Sequence, residues 1–163
     1  MTSRPGKGSI FRIYLPLVQP EDEATVFRPH PEPDRKECRK QTVLVAEDDQ
    51  GIRKLVSNFL RNNNYSVIEA DNGLHALEIV RRGDNQIDIL VTDVVMPEMD
   101  GGKLVEEVRK SCPDVPVLLI SGYAEKLTLT RDLADGPAKV LPKPFTPAEF
   151  SRAIRSLLDE AAT

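Results

Sequence analysis

Residues 42–53 read TVLVAEDDQGIR and contain a complete transition from strand to helix. Thr42–Ala46 is a short apolar run, typical of a buried strand. From Ile52 onward, apolar residues recur with the spacing of one helical face. These positions are Ile52, Leu55, Val56, Phe59 and Leu60. Between strand and helix lie the acidic residues Glu47, Asp48 and Asp49, so the stretch predicts a β/α unit with carboxylates at the carboxyl end of its strand.

The same alternation continues to the end of the chain. Further strands are predicted at Ser66–Ala70, Ile87–Thr92, Val115–Ile120 and Lys139–Leu141. Further helices are predicted at Gly73–Arg82, Gly102–Lys110, Ala124–Leu133 and Pro147–Leu158, the last with Thr146 as its N-cap. Five β/α units joined by right-handed crossovers predict a doubly wound α/β domain, in which a five-stranded parallel sheet carries helices on both faces.

Polar residues follow the predicted strands at the points where these strands end. Glu47 and Asp48 follow the first strand, Asp93 the third and Ser121 the fourth, and Lys143 lies just past the fifth. The carboxyl ends of parallel strands share one edge, where chemistry gathers. Carboxylates that converge there repel each other unless a cation lies among them, and Mg²⁺ suits such an oxygen-lined pocket. With a lysine and a hydroxyl added, the set can hold a phosphoryl group.

Each of these residues also has an ordinary structural interpretation. An isolated Asp at a strand end is usually a cap or a solvated loop residue, and Lys143 alone would be a surface lysine. Ser121, which precedes Gly122, could simply shape a turn. The joint occurrence of these residue types at successive strand ends favours the functional interpretation.

Four stretches resemble the motifs of response-regulator receiver domains. They are VLVAEDDQGIR from residue 43, VTDVVMPEMDG from residue 91, ISGY from residue 120 and LPKPF from residue 141. The resemblance covers residues 42 to about 160 in order and spacing, and it assigns residues 42–163 to the receiver domain. It implies a flavodoxin-like strand order, 2-1-3-4-5.

The resemblance also implies a metal site. Asp93 matches the phosphoacceptor, and Glu47 and Asp48 match the acidic pair that holds Mg²⁺, with Asp48 as the direct ligand. The backbone carbonyl of Val95 matches the main-chain ligand of the metal. Asp49 is then a neighbour of the pair and not one of its members. Glu47 departs from the family, in which Asp is commoner at this position.

Two further residues match the groups that contact the phosphoryl oxygens, namely the Ser121 hydroxyl and the Lys143 ammonium. The Lys143–Pro144 bond matches a position that is usually cis in the family. Val140 stands where receivers usually carry Tyr or Phe, so the usual ring rotation is not available. Tyr123 is the candidate substitute aromatic.

Residues 1–41, here called the leader, do not share the alternation of strands and helices that follows them. Arg4–Leu17, RPGKGSIFRIYLPL, resembles the last motif of the histidine-kinase ATP-binding domain, which assigns residues 1–18 to a remnant of that domain. Ile10–Leu15 alternates like a half-buried strand, for which the main domain is the only expected pairing partner. Residues 19–41 are rich in proline and charge and predict a flexible linker.

The composition excludes several classes. The net charge of −4 argues against direct contact with nucleic acid. The apolar runs are far shorter than the ~20 residues of a membrane span, so we expect no membrane contact by this chain and a cytoplasmic location. Two cysteines are too few for a disulfide framework or a zinc site of thiolates.

Two functions are compatible with these observations. The first is the C-terminal receiver of a hybrid sensor histidine kinase, which accepts a phosphoryl group from a phosphohistidine onto Asp93 and passes it to a histidine phosphotransfer partner or acts on its own kinase. The chain would then be a phosphoacceptor without kinase machinery. The alternative is a stand-alone regulator that binds a target protein when phosphorylated. We expect no output domain after Thr163. A phosphatase of the aspartyl-phosphate type would need a second acid where Val95 stands.

Overall fold

The computed structural model describes residues 2–4, 8–10, 40–122 and 136–161. The chain divides into two compact units, Met1–Cys38 and Arg39–Thr163. The predicted helix Ala124–Leu133 and the aromatic residue Tyr123 lie outside the described residues. In the part that is described, no helix combines the length and the apolar character that a bilayer crossing requires.

The first unit contains a short antiparallel hairpin. Strand β1 (Thr2–Arg4) pairs with strand β2 (Gly8–Ile10), with Thr2 opposite Ile10 and Arg4 opposite Gly8. The leader therefore supplies a pairing partner of its own. Our expectation that only the main domain could pair with this strand is wrong for Ile10, and the rest of the predicted strand, residues 11–15, lies outside the described residues.

The second unit alternates strands and helices. Its strands are β3 (Thr42–Ala46), β4 (Ser66–Ala70), β5 (Ile89–Asp93), β6 (Val117–Ser121) and β7 (Ala138–Pro142). Its described helices are α1 (Gln50–Asn62), α2 (Gly73–Arg82), α3 (Gly101–Ser111) and α4 (Pro147–Ala161). The strands form one parallel sheet in the order β4-β3-β5-β6-β7. This is the predicted order 2-1-3-4-5, so the fold prediction is confirmed.

Two apolar clusters pack on opposite faces of the sheet. Val43 and Val45 of β3 face α1 and α4, whereas Leu44 and Ala46 face α2 and α3. Since all four are at most 1% exposed, β3 is apolar on both faces, as a central strand must be. Burial of each valine or leucine side chain among these four contributes about 1.5–3 kcal/mol. The two clusters hold the strands of the sheet in place and thereby position the edge at which their carboxyl ends lie.

The ends of several elements differ from the predicted ones. Strand β6 begins after Pro116, which has no N–H to donate to the ladder, and it ends one residue late, at Ser121. Strand β5 also begins two residues late and ends at Asp93. Asp93 and Ser121 are therefore the last residues of their strands and do not follow them.

Capping residues explain the helix boundaries. The side chains of Asp49 and Asp100 accept hydrogen bonds at the starts of α1 and α3, so α1 begins at Gln50, two residues earlier than the apolar spacing predicts. Thr146 is the predicted N-cap of α4, and it forms a reciprocal pair of hydrogen bonds with Glu149. Helix α2 ends at Arg82 as predicted, and Gly83 caps it in the left-handed conformation that favours glycine.

Candidate functional site

The parallel register brings the predicted site residues to one edge of the sheet. Ala46 lies level with Thr92, and Asp93 lies level with Ile120. As a result, Glu47, Asp48 and Asp93 converge, and one carboxylate oxygen from each lies within 4.8 Å of the other two. The three acids that the sequence predicts as a metal site do form one cluster.

The three carboxylates differ in exposure. Glu47 is 3% exposed and Asp93 is 9% exposed, whereas Asp48 is open to solvent. The cluster therefore forms a pocket with two buried carboxylates and a third that is exposed to solvent. Mg²⁺ commonly binds one or two carboxylates while it keeps several waters, so the donor set fits this ion.

Lys143 brings a positive charge to the pocket. Its Nζ donates a hydrogen bond to Oδ2 of Asp93 at 2.6 Å and lies 3.6 Å from Oε2 of Glu47. Burial works against the charged ammonium, but the hydrogen bond to Asp93 and the charge of Glu47 outweigh it, so the pKa of Lys143 is raised. The pKa of Glu47 is also raised, first by burial and then by the charge of Asp93, with Lys143 opposing. One lysine therefore only partly offsets the acids.

The carboxylate of Asp93 is fixed at both oxygens. Oδ1 accepts a hydrogen bond from the backbone N–H of Val94 at 2.7 Å, and Oδ2 accepts the one from Lys143. The backbone carbonyl of Asp93 accepts a hydrogen bond from the hydroxyl of Thr92 at 2.9 Å. Gly101 packs so closely that a Cβ there would lie 2.2 Å from the same carbonyl oxygen. The first residue of α3 is therefore in close contact with the last residue of β5, and this contact helps to position Asp93.

The loop between β3 and α1 carries the other two acids. Oε1 of Glu47 accepts a hydrogen bond from the backbone N–H of Asp49 at 3.2 Å, and Oδ1 of Asp49 accepts one from the backbone N–H of Ile52 at 2.9 Å. Asp49 therefore caps a helix and does not join the acidic cluster, in agreement with its predicted place beside the pair. Arg53, which the sequence analysis did not identify as a site residue, donates to the carbonyl of Glu47 at 2.6 Å.

Ser121 lies fully buried at the end of β6. Its Oγ has no hydrogen-bond partner among the described residues. A buried hydroxyl without a partner costs about 1–3 kcal/mol, so its presence favours a role with a partner that binds later. This orphaned oxygen and the acidic cluster both fit a bound phosphoryl group with its Mg²⁺.

The remaining predicted residues have simpler surroundings. Val95, whose carbonyl is the predicted main-chain ligand, is 59% exposed and lies two residues beyond Asp93. Val140 lies opposite Leu119 in the β6–β7 pairing and packs against the cluster beneath α2 and α3. The Lys143–Pro144 peptide bond is cis, as the resemblance implies.

A five-stranded α/β domain with an acidic pocket at its carboxyl edge defines the class of this protein. Residues 43–155 match the family described as response regulator receiver domain, and the chain belongs to that family. The receiver fold and its acidic cluster agree with this membership.

Individual relatives extend the comparison. The chain is 36% identical over 163 residues to the sensor kinase CckA of Brucella abortus; the alignment covers 97% of this chain and 17% of the kinase. The solved receiver domain of the hybrid histidine kinase CckA is 29% identical and covers 72% of this chain and 98% of its own, with a TM-score of 0.59. A receiver protein of Sinorhizobium medicae is 27% identical, covers 76% and 98%, and has a TM-score of 0.68.

The protein is therefore a receiver domain of a two-component phosphorelay. Receiver domains interact with histidine kinases or histidine phosphotransfer proteins. The chain spans about a sixth of the length of the sensor kinase that it matches.

Proposed function

We propose that Asp93 is the phosphoacceptor and that Mg²⁺ binds beside it. The observation that carries this proposal is the convergence of Glu47, Asp48 and Asp93 within 4.8 Å, with the ammonium of Lys143 on Asp93. Glu47, Asp48, Asp93 and the carbonyl of Val95 would hold the cation. A bound Mg²⁺ would offset the negative charge that otherwise keeps a carboxylate away from a phosphoryl group.

The donor is a phosphohistidine. A carboxylate oxygen of Asp93 forms a bond to phosphorus as the bond from phosphorus to the imidazole nitrogen breaks, and the electron pair of that bond stays on the nitrogen. Lys143 then pairs with a phosphoryl oxygen in place of the carboxylate oxygen that it contacts in this structure. The orphaned hydroxyl of Ser121 donates a hydrogen bond to another phosphoryl oxygen.

The chain serves as the receiver of a hybrid sensor histidine kinase in the cytoplasm. The alignment with the Brucella abortus sensor kinase covers 97% of the chain and so reaches well before the receiver family match, which begins at residue 43. This supports residues 1–18 as a remnant of the kinase ATP-binding domain and residues 19–41 as a linker. The phosphoryl group would pass from Asp93 to a histidine phosphotransfer protein.

Chemical phosphorylation tests the assignment. Incubated with acetyl phosphate and Mg²⁺, the chain should gain one phosphoryl group by intact-protein mass spectrometry. Asp93→Asn should abolish the gain, and chelation of the metal should prevent it. Asp84→Asn is the matched control, because Asp84 is exposed on the loop after α2. Undiminished labelling of Asp93→Asn would disprove the assignment.

A further inference from the structure

Arg53 contacts the main chain of the acidic loop. It is the fourth residue of α1, and its guanidinium reaches back toward the sheet. Nη1 donates to the carbonyl of Glu47 at 2.6 Å and lies 3.2 Å from the carbonyl of Asp48. The side chain is only 14% exposed, so the contact is sheltered from solvent. One arginine nitrogen thus contacts the backbone of two residues of the acidic cluster.

The other side of the guanidinium forms a long ion pair with the neighbouring strand. Nε of Arg53 lies 3.8 Å from Oε2 of Glu69, which belongs to β4. Oε1 of Glu69 also accepts a hydrogen bond from Nη2 of Arg61 at 2.7 Å. Glu69 therefore lies between two arginines, of which only Arg53 bonds to the acidic loop. The guanidinium of Arg53 therefore lies between the acidic loop and β4.

We propose that Arg53 is a positioning residue for the Mg²⁺ site. The inference rests on the proposed function, since it concerns the same acidic pocket. By bonding to the carbonyls of Glu47 and Asp48, Arg53 fixes the turn from which both carboxylates project. Its hydrogen bonds to the loop go to carbonyl oxygens, so they do not occupy the carboxylate oxygens of Glu47 and Asp48. A planar guanidinium with several donors suits this task better than an ammonium.

A role of Arg53 through its charge and a role through its hydrogen bonds predict opposite changes in Mg²⁺ affinity when Arg53 is removed. If only its positive charge mattered, the loss of a cation near the pocket would make the pocket more negative and tighten Mg²⁺ binding. If the bonds to the carbonyls matter, the acidic loop loses its fixed geometry and Mg²⁺ binding weakens. Partners that orient metal ligands typically affect metal affinity by about 10–100-fold.

The test compares Arg53→Gln and Arg53→Lys with the wild-type chain. Isothermal titration calorimetry with MgCl₂ gives the Kd, and urea denaturation without metal shows whether each variant folds. We expect Arg53→Gln to raise the Kd about ten-fold. Arg53→Lys keeps the charge but has no planar fork, so its Kd should rise less. Arg61→Gln is the matched control, because the Arg61 side chain bonds to Glu69 and not to the acidic loop. The Kd of this variant for Mg²⁺ should stay at the wild-type value.

A second measurement separates positioning from a purely structural role. Phosphorylation of Arg53→Gln by acetyl phosphate should need more Mg²⁺ for half-maximal rate, yet it should approach the wild-type rate at saturating Mg²⁺. If Arg53→Gln does not fold, the same comparison is made with Arg53→Lys. An unchanged or lower Kd in folded variants would overturn the role of Arg53 and leave the proposed function intact. Failure of the wild-type chain to bind Mg²⁺ and to be phosphorylated would overturn both.

Discussion

Lys143 and Asp93 are fifty positions apart in the chain, yet Nζ of the first donates to Oδ2 of the second at 2.6 Å. The contact exists because β5 and β7 end at the same edge of the sheet, on either side of β6. The pocket also contains Glu47 and Asp48, so the ammonium of Lys143 shares it with three carboxylates. Among the described residues, these groups leave the pocket with an excess of negative charge, which favours the binding of a divalent cation.

The first prediction concerns Glu47 and pH. The folded state raises the pKa of this buried carboxyl, so its ionisation lowers stability. The penalty is absent below the ordinary pKa of glutamate, where both folded and unfolded chains are protonated, and it is complete once the pH exceeds the raised value. Without Mg²⁺, Glu47→Gln should therefore increase the free energy of unfolding at pH 7 by about 1 kcal/mol. The difference in free energy of unfolding between Glu47→Gln and the wild-type chain should shrink toward zero near about pH 4.

Urea denaturation at a series of pH values checks this expectation. Glu78→Gln is the control, because Glu78 is 67% exposed on α2 and should show no such pH-dependent gain. A Glu47→Gln variant that is less stable than the wild-type chain at neutral pH would contradict the prediction.

The second prediction concerns Lys143. In Lys143→Met, the carboxylates of Asp93 and Glu47 lose their counterion. Because the lysine side chain is 29% exposed, solvent screens part of the effect, and we expect a loss of about 1–2 kcal/mol without metal. Added Mg²⁺ should recover part of that loss, because a divalent cation can replace the missing charge. Chemical denaturation with and without MgCl₂ measures both effects, with the exposed Lys54→Met as control. Equal losses in the two lysine variants would count against a counterion role.

The sheet and its edge could be predicted from sequence because their causes are local. Apolar runs mark the strands, helical spacing marks the helices, and the crossover rule places the strand ends together. The residues of the pocket follow from that placement. The exact strand ends could not be predicted in the same way. Asp93 and Ser121 belong to their strands because pairing with neighbouring strands continues to their backbones, a tertiary effect.

Two other features depend on contacts that no sequence pattern marks. Arg53 bonds to backbone carbonyls, which every residue carries, so nothing in the sequence distinguishes its partners. Its only local signal is its place in α1 soon after the acidic stretch. The pairing of Thr2–Arg4 with Gly8–Ile10 was missed because three-residue strands are too short for alternation to be recognised.

The third prediction concerns Gly101. A methyl group at this position would lie 2.2 Å from the carbonyl oxygen of Asp93, which is backbone and cannot rotate away. Gly101→Ala should therefore force the start of α3 away from β5 and lower the free energy of unfolding by about 1–3 kcal/mol. Thermal denaturation measures the loss, and Gly102→Ala in the same helix controls for helix propensity. A Gly101→Ala variant as stable as the wild-type chain would show that this approach is looser than the structure indicates.

The fourth prediction concerns Ser57, a fully buried residue of α1. Its hydroxyl has no hydrogen-bond partner among the described residues. Ser57→Ala removes that orphaned group and improves helix propensity, so it should stabilise the domain by about 1 kcal/mol. Ser156→Ala is the contrast, because the Ser156 hydroxyl bonds to Glu160 at 3.1 Å and its removal should not stabilise. Equilibrium urea denaturation gives both values, and destabilisation by Ser57→Ala would mean that the hydroxyl has a partner in solution.

The fifth prediction concerns the leader. Among the described residues, those buried in the two apolar clusters of the receiver lie between positions 43 and 158, and the described hairpin of the leader pairs with itself. Deletion of residues 1–38 should therefore leave the melting temperature within a few degrees of the full chain. Deletion of residues 1–44 is the control, because it removes the buried Val43 and Leu44 from a central strand and should prevent folding. A loss above about 2 kcal/mol in the shorter deletion, large against typical domain stability, would show that the leader contributes to the receiver fold.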